Sequence, residues 1–299
     1  MLNRRDFSKT LIGLGAAAGL SAAPSRKLKI GYTCITWGTF PTPTGSPTLE
    51  QALKDISSLG YYGFETFPEN LADWDAKGEL KGLIGKYGVP LRSAYIRVNL
   101  TDTAAHKENL AEVTRLAKIV KKYGGSFGVL GPNGVKRETY DFKANRANII
   151  SALNDCVMAV TDAGLTAGLH QHTGTCIETR DETYSVLEGA NTKLLKFAPD
   201  VGQLQKGGAD AAKVVEDFLP LVQHMHLKDF SGWEHFLGYC PLGQGKVNIA
   251  RILDLVEGAN HPVNVMVELD QSPNPPMTPL EAATISTNYL KKLGYKFLT

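Results

Sequence analysis

The chain has 299 residues, 43% of them hydrophobic and 21% charged. That composition is ordinary for a globular protein and argues against disorder, and the length suits one large α/β domain, since α/β barrels of about 250 residues fold as single units. The sequence contains no run approaching the roughly 18 unbroken apolar residues of a membrane helix, so no membrane span is expected. The formal net charge is +2. Setting aside residues 1–23 removes Arg4, Arg5 and Lys9 against Asp6, and the remainder balances. A neutral domain lacks the basic footprint of a nucleic-acid or anionic-surface binder, which leaves a small uncharged molecule as the expected partner.

Residues 1–23 join a polar start to a Leu/Gly/Ala run and then small residues, the layout of an export signal. The string RRDFSK resembles the twin-arginine motif of bacterial Tat signals. The expectation is therefore a Tat export signal over 1–23, a single domain over 24–299, and a periplasmic location. Cys34, Cys156, Cys176 and Cys240 form no CxxC pair, which argues against structural zinc, and in a domain of this size they are expected as buried thiols.

Taken in order, eight short β-branched or aromatic segments follow: KLKIGYTC, YGFETF, PLRSAYIRV, SFGVLG, LTAGLHQH, LLKFAPD, VQHMHLKD and NVMVELD. Between them, residues 48–59, 104–123, 144–163, 209–219 and 247–258 repeat apolar side chains at three and four, the period of an amphipathic helix. Gly60, Gly88, Gly124 and Gly164 stand where left-handed helix terminators belong. Alternating strand and helix predicts a parallel sheet, and eight strands without a GxGxxG after the first favour a closed (β/α)8 TIM barrel over a dinucleotide-binding sheet.

Such barrels keep their chemistry at the C-terminal strand ends. Read in order, those ends carry Glu65, then Tyr95 and Arg97, His170 and His172, Asp200, then His224, His226, Lys228 and Asp229, and last Glu268 and Asp270. Buried charge is costly unless paired or metal-bound. Carboxylates and imidazoles on several strands suit one divalent ion of intermediate hardness such as Mn, Co, Zn or Fe, with Asp200, His226 and Glu268 as the strongest trio. An isolated Asp after a strand would more simply be a turn or cap, and an isolated His a core residue; their joint appearance on strands six to eight argues for the site.

The series HQHTGTCIET, PDVGQ, HMHLKDF, PLGQG and VELD resembles the xylose isomerase-like TIM-barrel superfamily of sugar isomerases and epimerases, and most of all its inosose dehydratase-like branch. The resemblance implies that Asp200, His226 and Glu268 bind the metal with a fourth ligand from the fifth strand, either Glu178 or His170. Glu178 is preferred because a third carboxylate better neutralises a divalent ion. Where relatives commonly read Asp-Thr-Gly-His, this chain has Asp200-Val201-Gly202-Gln203, and an amide orients a hydroxyl but does not titrate.

These residues predict proton transfer beside the carbonyl of a sugar or cyclitol through an enediolate. Glu268 or Glu178 is the expected base, with Lys228 or His172 on the opposite side. Glu65, Arg97, His170, Gln203 and His224 are expected to contact substrate, with Trp37 and Trp233 stacking on a sugar face. Returning the proton gives isomerisation or epimerisation; losing a β-substituent gives dehydration or glycoside cleavage. The rivals are an inactive exported sugar-binding protein, favoured by Gln203, and a nuclease of the endonuclease IV type, opposed by the neutral charge. PLGQG reads as a tight loop without the GK[ST] of a phosphate cradle.

Overall fold

A computed structural model describes residues 26–41 and 48–298; the expected export signal at 1–23 lies outside them. All eight predicted strands form: β1 (Ile30–Thr33), β2 (Phe64–Thr66), β3 (Leu91–Val98), β4 (Phe127–Pro132), β5 (Thr166–Leu169), β6 (Leu195–Phe197), β7 (His224–Leu227) and β10 (Asn264–Val267). They pair in parallel in the order β6-β5-β4-β3-β2-β1-β10-β7. Isolated parallel bridges, Phe197 with Val222 and Asp200 with His226, draw β6 to β7 across the remaining seam. The result is the expected single-domain TIM barrel. A short antiparallel hairpin of β8 (Asp229–Phe230) and β9 (Tyr239–Cys240) was not foreseen.

The five predicted helices form within two residues of their expected ends, and the four terminator glycines take φ of +77°, +65°, +84° and +83°. The helix Ile249–Glu257 shows why the pattern was readable: Ile249, Ile252, Leu253 and Val256 are buried on one face, each worth about 1.5–3 kcal/mol relative to exposure. Helices at Pro68–Ala76, Leu80–Tyr87, Arg180–Gly189, Val201–Lys206 and Pro279–Lys292 add to the covering layer. The four cysteines are buried and unbridged. Among the described residues no helix is long and apolar enough to cross a membrane.

Strand alternation positions the site. Successive residues point to opposite faces, so His224, His226 and Lys228 share one side of the β7 segment, and their contacts place them inside the barrel. His224 lies lowest, stacked on Phe127 at 4.9 Å. His226 sits above it, and Lys228 reaches carboxylates at the C-terminal rim.

Candidate functional site

At the barrel's centre Lys228 is fully buried. Its ammonium lies 3.0 Å from Asp200 Oδ2, 2.6 Å from Glu268 Oε1 and 2.7 Å from Asp270 Oδ2. Burial works against the charge, but these three carboxylates hold the lysine well above its ordinary pKa. Gly202 makes room for the stem: a Cβ there would stand 2.7 Å from Lys228 Cγ. Burial raises the Glu268 carboxyl, outweighing the pull of His226 and Lys228. Asp270, equally buried, is instead brought below its usual value by Lys228.

One layer down, His226 donates from Nε2 to Glu65 Oε1 at 2.6 Å. Its Nδ1 faces Glu268 Oε2 at 3.1 Å. Burial disfavours an imidazolium, yet Glu268 and Glu65 raise His226 to about 9. Glu65 accepts from Ser93 Oγ at 2.5 Å and lies 3.0 Å from His224 Nε2. Burial alone would lift Glu65, but His226 and His224 bring it well below the carboxylate range.

His170 Nδ1, Asp200 Oδ2 and His226 Nδ1 make no well-aligned hydrogen bond, although the last two approach Lys228 and Glu268. A buried polar atom left in this state is costly. His170, Asp200 and His226 each offer a donor atom within 4.8 Å of the others. Two imidazoles and a carboxylate, with Glu268 touching His226, fit a divalent ion of the intermediate class. Asp200 also fills the simpler role, since its Oδ1 caps the helix Val201–Lys206 through Gln203 N at 2.9 Å. One oxygen caps while the other faces the cluster.

Glu178 takes no part in that cluster. Its carboxylate accepts from the backbone of Gly174 and lies 3.5 Å from Arg137 Nε, because Thr179 and Glu182 form a capping box that starts a helix immediately after it. Of His170 and Glu178, it is His170 that joins the cluster. His172 faces the cavity as a neutral ring: burial, then Lys228, lower its pKa. Its Nδ1 donates to Thr173 O at 2.7 Å, so Nε2 accepts from Gln203 Nε2 at 2.8 Å. Gln203 Oε1 in turn accepts from Thr173 Oγ1 at 2.6 Å, which orients the amide. With both ring nitrogens engaged, His172 is placed as a fixed acceptor rather than a mobile proton carrier.

The cavity above these groups measures about 710 Å³. Its wall includes Glu65, Arg97, His170, His172, Glu268 and Asp270, together with Phe40, Phe67 and Tyr95. His224, Gln203 and Lys228 lie behind that wall. Arg97 is on it, but its guanidinium is 2.7 Å from Glu69. The two tryptophans expected to stack on sugar do not reach it. Trp37 is buried against Tyr32 and donates to Asp55 Oδ2 at 2.8 Å, because the turn Cys34–Trp37 rolls it into the core. Trp233 stands on the hairpin loop against His235 and Phe236. The wall's aromatics are Phe40, Phe67 and Tyr95, and of these the sequence reading marked only Tyr95. Phe67 was signalled by its place at the end of the second predicted strand.

PLGQG also finds its partner inside the protein. Asp229 accepts from the backbone N–H groups of Phe230, Gly243, Gly245 and Val247. Within the loop Gly243 and Gly245 are thereby satisfied by that carboxylate, while Leu242 donates to Ser286 Oγ and Gln244 to Pro241 O.

The xylose isomerase-like TIM barrel family profile matches residues 53–293, and the chain belongs to that family. Proteins similar to the chain at low identity include dehydratases and epimerases. Inosose dehydratase of Clostridium botulinum (strain Alaska E43 / Type E3) is 24% identical over 296 residues, covering 90% of this chain and 98% of that protein. Among solved structures, 3-keto-D-glucoside 4-epimerase YcjR from E. coli superposes with a TM-score of 0.66 at 16% identity, covering 89% and 99% of the two chains. An IolI protein with a bound zinc atom gives 0.70 at 15% identity, covering 91% and 100%.

Proposed function

We propose that the chain is a metal-dependent sugar or cyclitol isomerase or epimerase, or a related dehydratase, that removes a proton next to a carbonyl. The observation carrying this reading is the convergence of ligand-type atoms from His170, Asp200 and His226 beside Glu268, against the part of the cavity wall that His170 and Glu268 line. His170, Asp200, His226 and Glu268 hold the ion. When bound, a divalent ion supplies positive charge where the substrate's oxygen becomes anionic.

The chain's own groups do the rest. Glu65 takes the Nε2–H of His226 and turns its Nδ1 to the cluster, the arrangement by which a carboxylate orients a metal-binding histidine. Glu268, raised by burial, is the better base for carbon acid chemistry. It takes the proton, and the electron pair moves into the carbonyl. Asp270, on the cavity wall, accepts from a substrate hydroxyl, while His172, its ring nitrogens engaged by Thr173 and Gln203, forms a fixed part of that wall. Lys228 keeps three carboxylates together. Return of the proton to the neighbouring carbon gives an isomer, and protonation of the opposite face from solvent, with Glu268 giving up its proton to solvent, gives an epimer; departure of a β-hydroxyl with a proton gives water and an unsaturated ketone.

Solvent deuterium exchange into inososes, ketoses and keto-glucosides, followed by NMR with metal-loaded and chelated protein, tests the proposal. Metal-dependent exchange at one carbon is expected. Sugar binding with neither metal nor exchange would identify a binding protein instead. We further propose that residues 1–23 direct Tat export to the periplasm. Replacing Arg4 and Arg5 by lysine should then block export of a fused reporter, and undiminished export would refute it.

A further inference from the structure

The cavity is larger than the proposed chemistry requires. Small-molecule pockets of roughly 300–1,000 Å³ enclose most of a drug-sized ligand, and at about 710 Å³ this one exceeds what a single six-membered sugar ring fills. Its wall has two poles. One carries His170, His172, Glu268 and Asp270. The other carries Phe40, Pro41, Phe67, Val98 and Pro132, with Asn99 and Asn133 at its edge.

The second pole is built as an aromatic ramp. Phe40 and Phe67 lie with centroids 6.0 Å apart and planes inclined by 33°. Tyr95 meets Phe67 edge-on at 5.5 Å and His170 edge-on at 5.2 Å, so the surface runs from mouth to reaction centre. Gly131 permits this path, because a Cβ there would collide with the Tyr95 ring. The charge around the ramp is unfavourable to anions. Among the described residues Arg97 is the one cationic side chain on the wall; it is paired with Glu69, while Glu65, Glu268 and Asp270 are acidic.

From this geometry we propose that the substrate is an uncharged glycoside: the reacting sugar occupies the ionic pole, and the ring attached to it lies against Phe67 and Phe40. The inference rests on the carbohydrate reading above and adds the substrate's second unit. At the aromatic pole a phosphate ester is disfavoured, because Arg97, the one cationic side chain on the wall among the described residues, is already paired with Glu69.

Calorimetry on the metal-loaded protein with methyl glucopyranoside, phenyl glucopyranoside and glucose 6-phosphate tests this without requiring turnover. The phenyl glycoside should bind about tenfold more tightly than the methyl glycoside, the size expected for one well-stacked ring. Phe67→Ala should remove most of that gap. Phe40→Ala at the exposed mouth should reduce it and serves as a second variant should the first not fold. Equal affinities for the two glycosides, no binding of either, or a gap unchanged in both variants would overturn the subsite. Phosphate-ester binding as tight as that of the phenyl glycoside would overturn its neutrality. Loss of deuterium exchange with the phenyl preference intact would instead refute the proposed chemistry and leave the subsite standing.

Discussion

The two halves of the barrel rim differ in what they present. The half from β1 to β4 faces the cavity with Ile35, Phe67, Val98 and Pro132, and the acid it puts on the wall, Glu65, has both oxygens occupied by Ser93, His226 and His224. The half from β5 to β10 supplies a neutral His170 together with Asp200, His226, Lys228, Glu268 and Asp270, whose charges answer one another at 2.6–3.1 Å. Recognition and reaction are thus assigned to opposite sides of one cavity. An ionic half with so many contacts is hard to alter piecemeal, whereas an apolar half tolerates changes of shape.

The contrast can be broken most severely at Glu268. Glu268→Gln removes the base and a ligand while Lys228 keeps Asp200 and Asp270, so turnover should fall by at least ~100-fold with folding retained; steady-state kinetics and circular dichroism check both. Lys228→Met leaves three buried carboxylates without their cation and should cost about 3–5 kcal/mol, read from urea unfolding. Added divalent metal should restore part of that loss in the variant. No change in the unfolding midpoint would show that the ion network is not what holds this half together.

Smaller effects sharpen the picture. His170→Ala should weaken metal binding at least as much as the ~10–100-fold of a lost outer-shell partner, whereas Glu178→Ala should leave it near the wild-type value; metal titration with a competing chelator decides. In metal-free protein, His226 is raised from 6.5 to about 9. Its protonated form therefore stabilises fully below pH 6.5, and that contribution is lost as pH rises through about 9. Melting temperatures measured with chelator across this window should fall more steeply for wild type than for Glu65→Gln. Trp233→Ala, on the hairpin and away from the cavity wall, should change stability by no more than about 0.5 kcal/mol and leave glycoside affinity unaltered.

The barrel was legible because its signals repeat: eight strand segments, apolar spacing at three and four, and glycines at helix ends. The ionic half was legible for a related reason, since alternation in His224-x-His226-x-Lys228 commits all three side chains to one face. Glu178 was not, because its direction depends on a capping box. The Thr179 and Glu182 spacing that forms it was present in the sequence and carries a known meaning. The tryptophans misled because aromatic identity does not reveal ring direction; Trp37 enters the core through a turn that strand alternation does not describe. Gln203 was read as a hydroxyl-orienting group and is instead oriented by Thr173 toward His172, a contact between elements that no local pattern encodes.

Asp229 has a consequence for redesign. By collecting the N–H groups of residues 230, 243, 245 and 247, it clamps the base of the β8–β9 hairpin immediately beside Lys228. The far end of the hairpin is anchored separately, by Phe236 packed on Tyr239, Leu269 and Ala282 with its N–H on Ser272 Oγ. Residues 232–234, exposed between these two anchors, are therefore the stretch where a loop can be exchanged while the lysine and its three carboxylates stay in register.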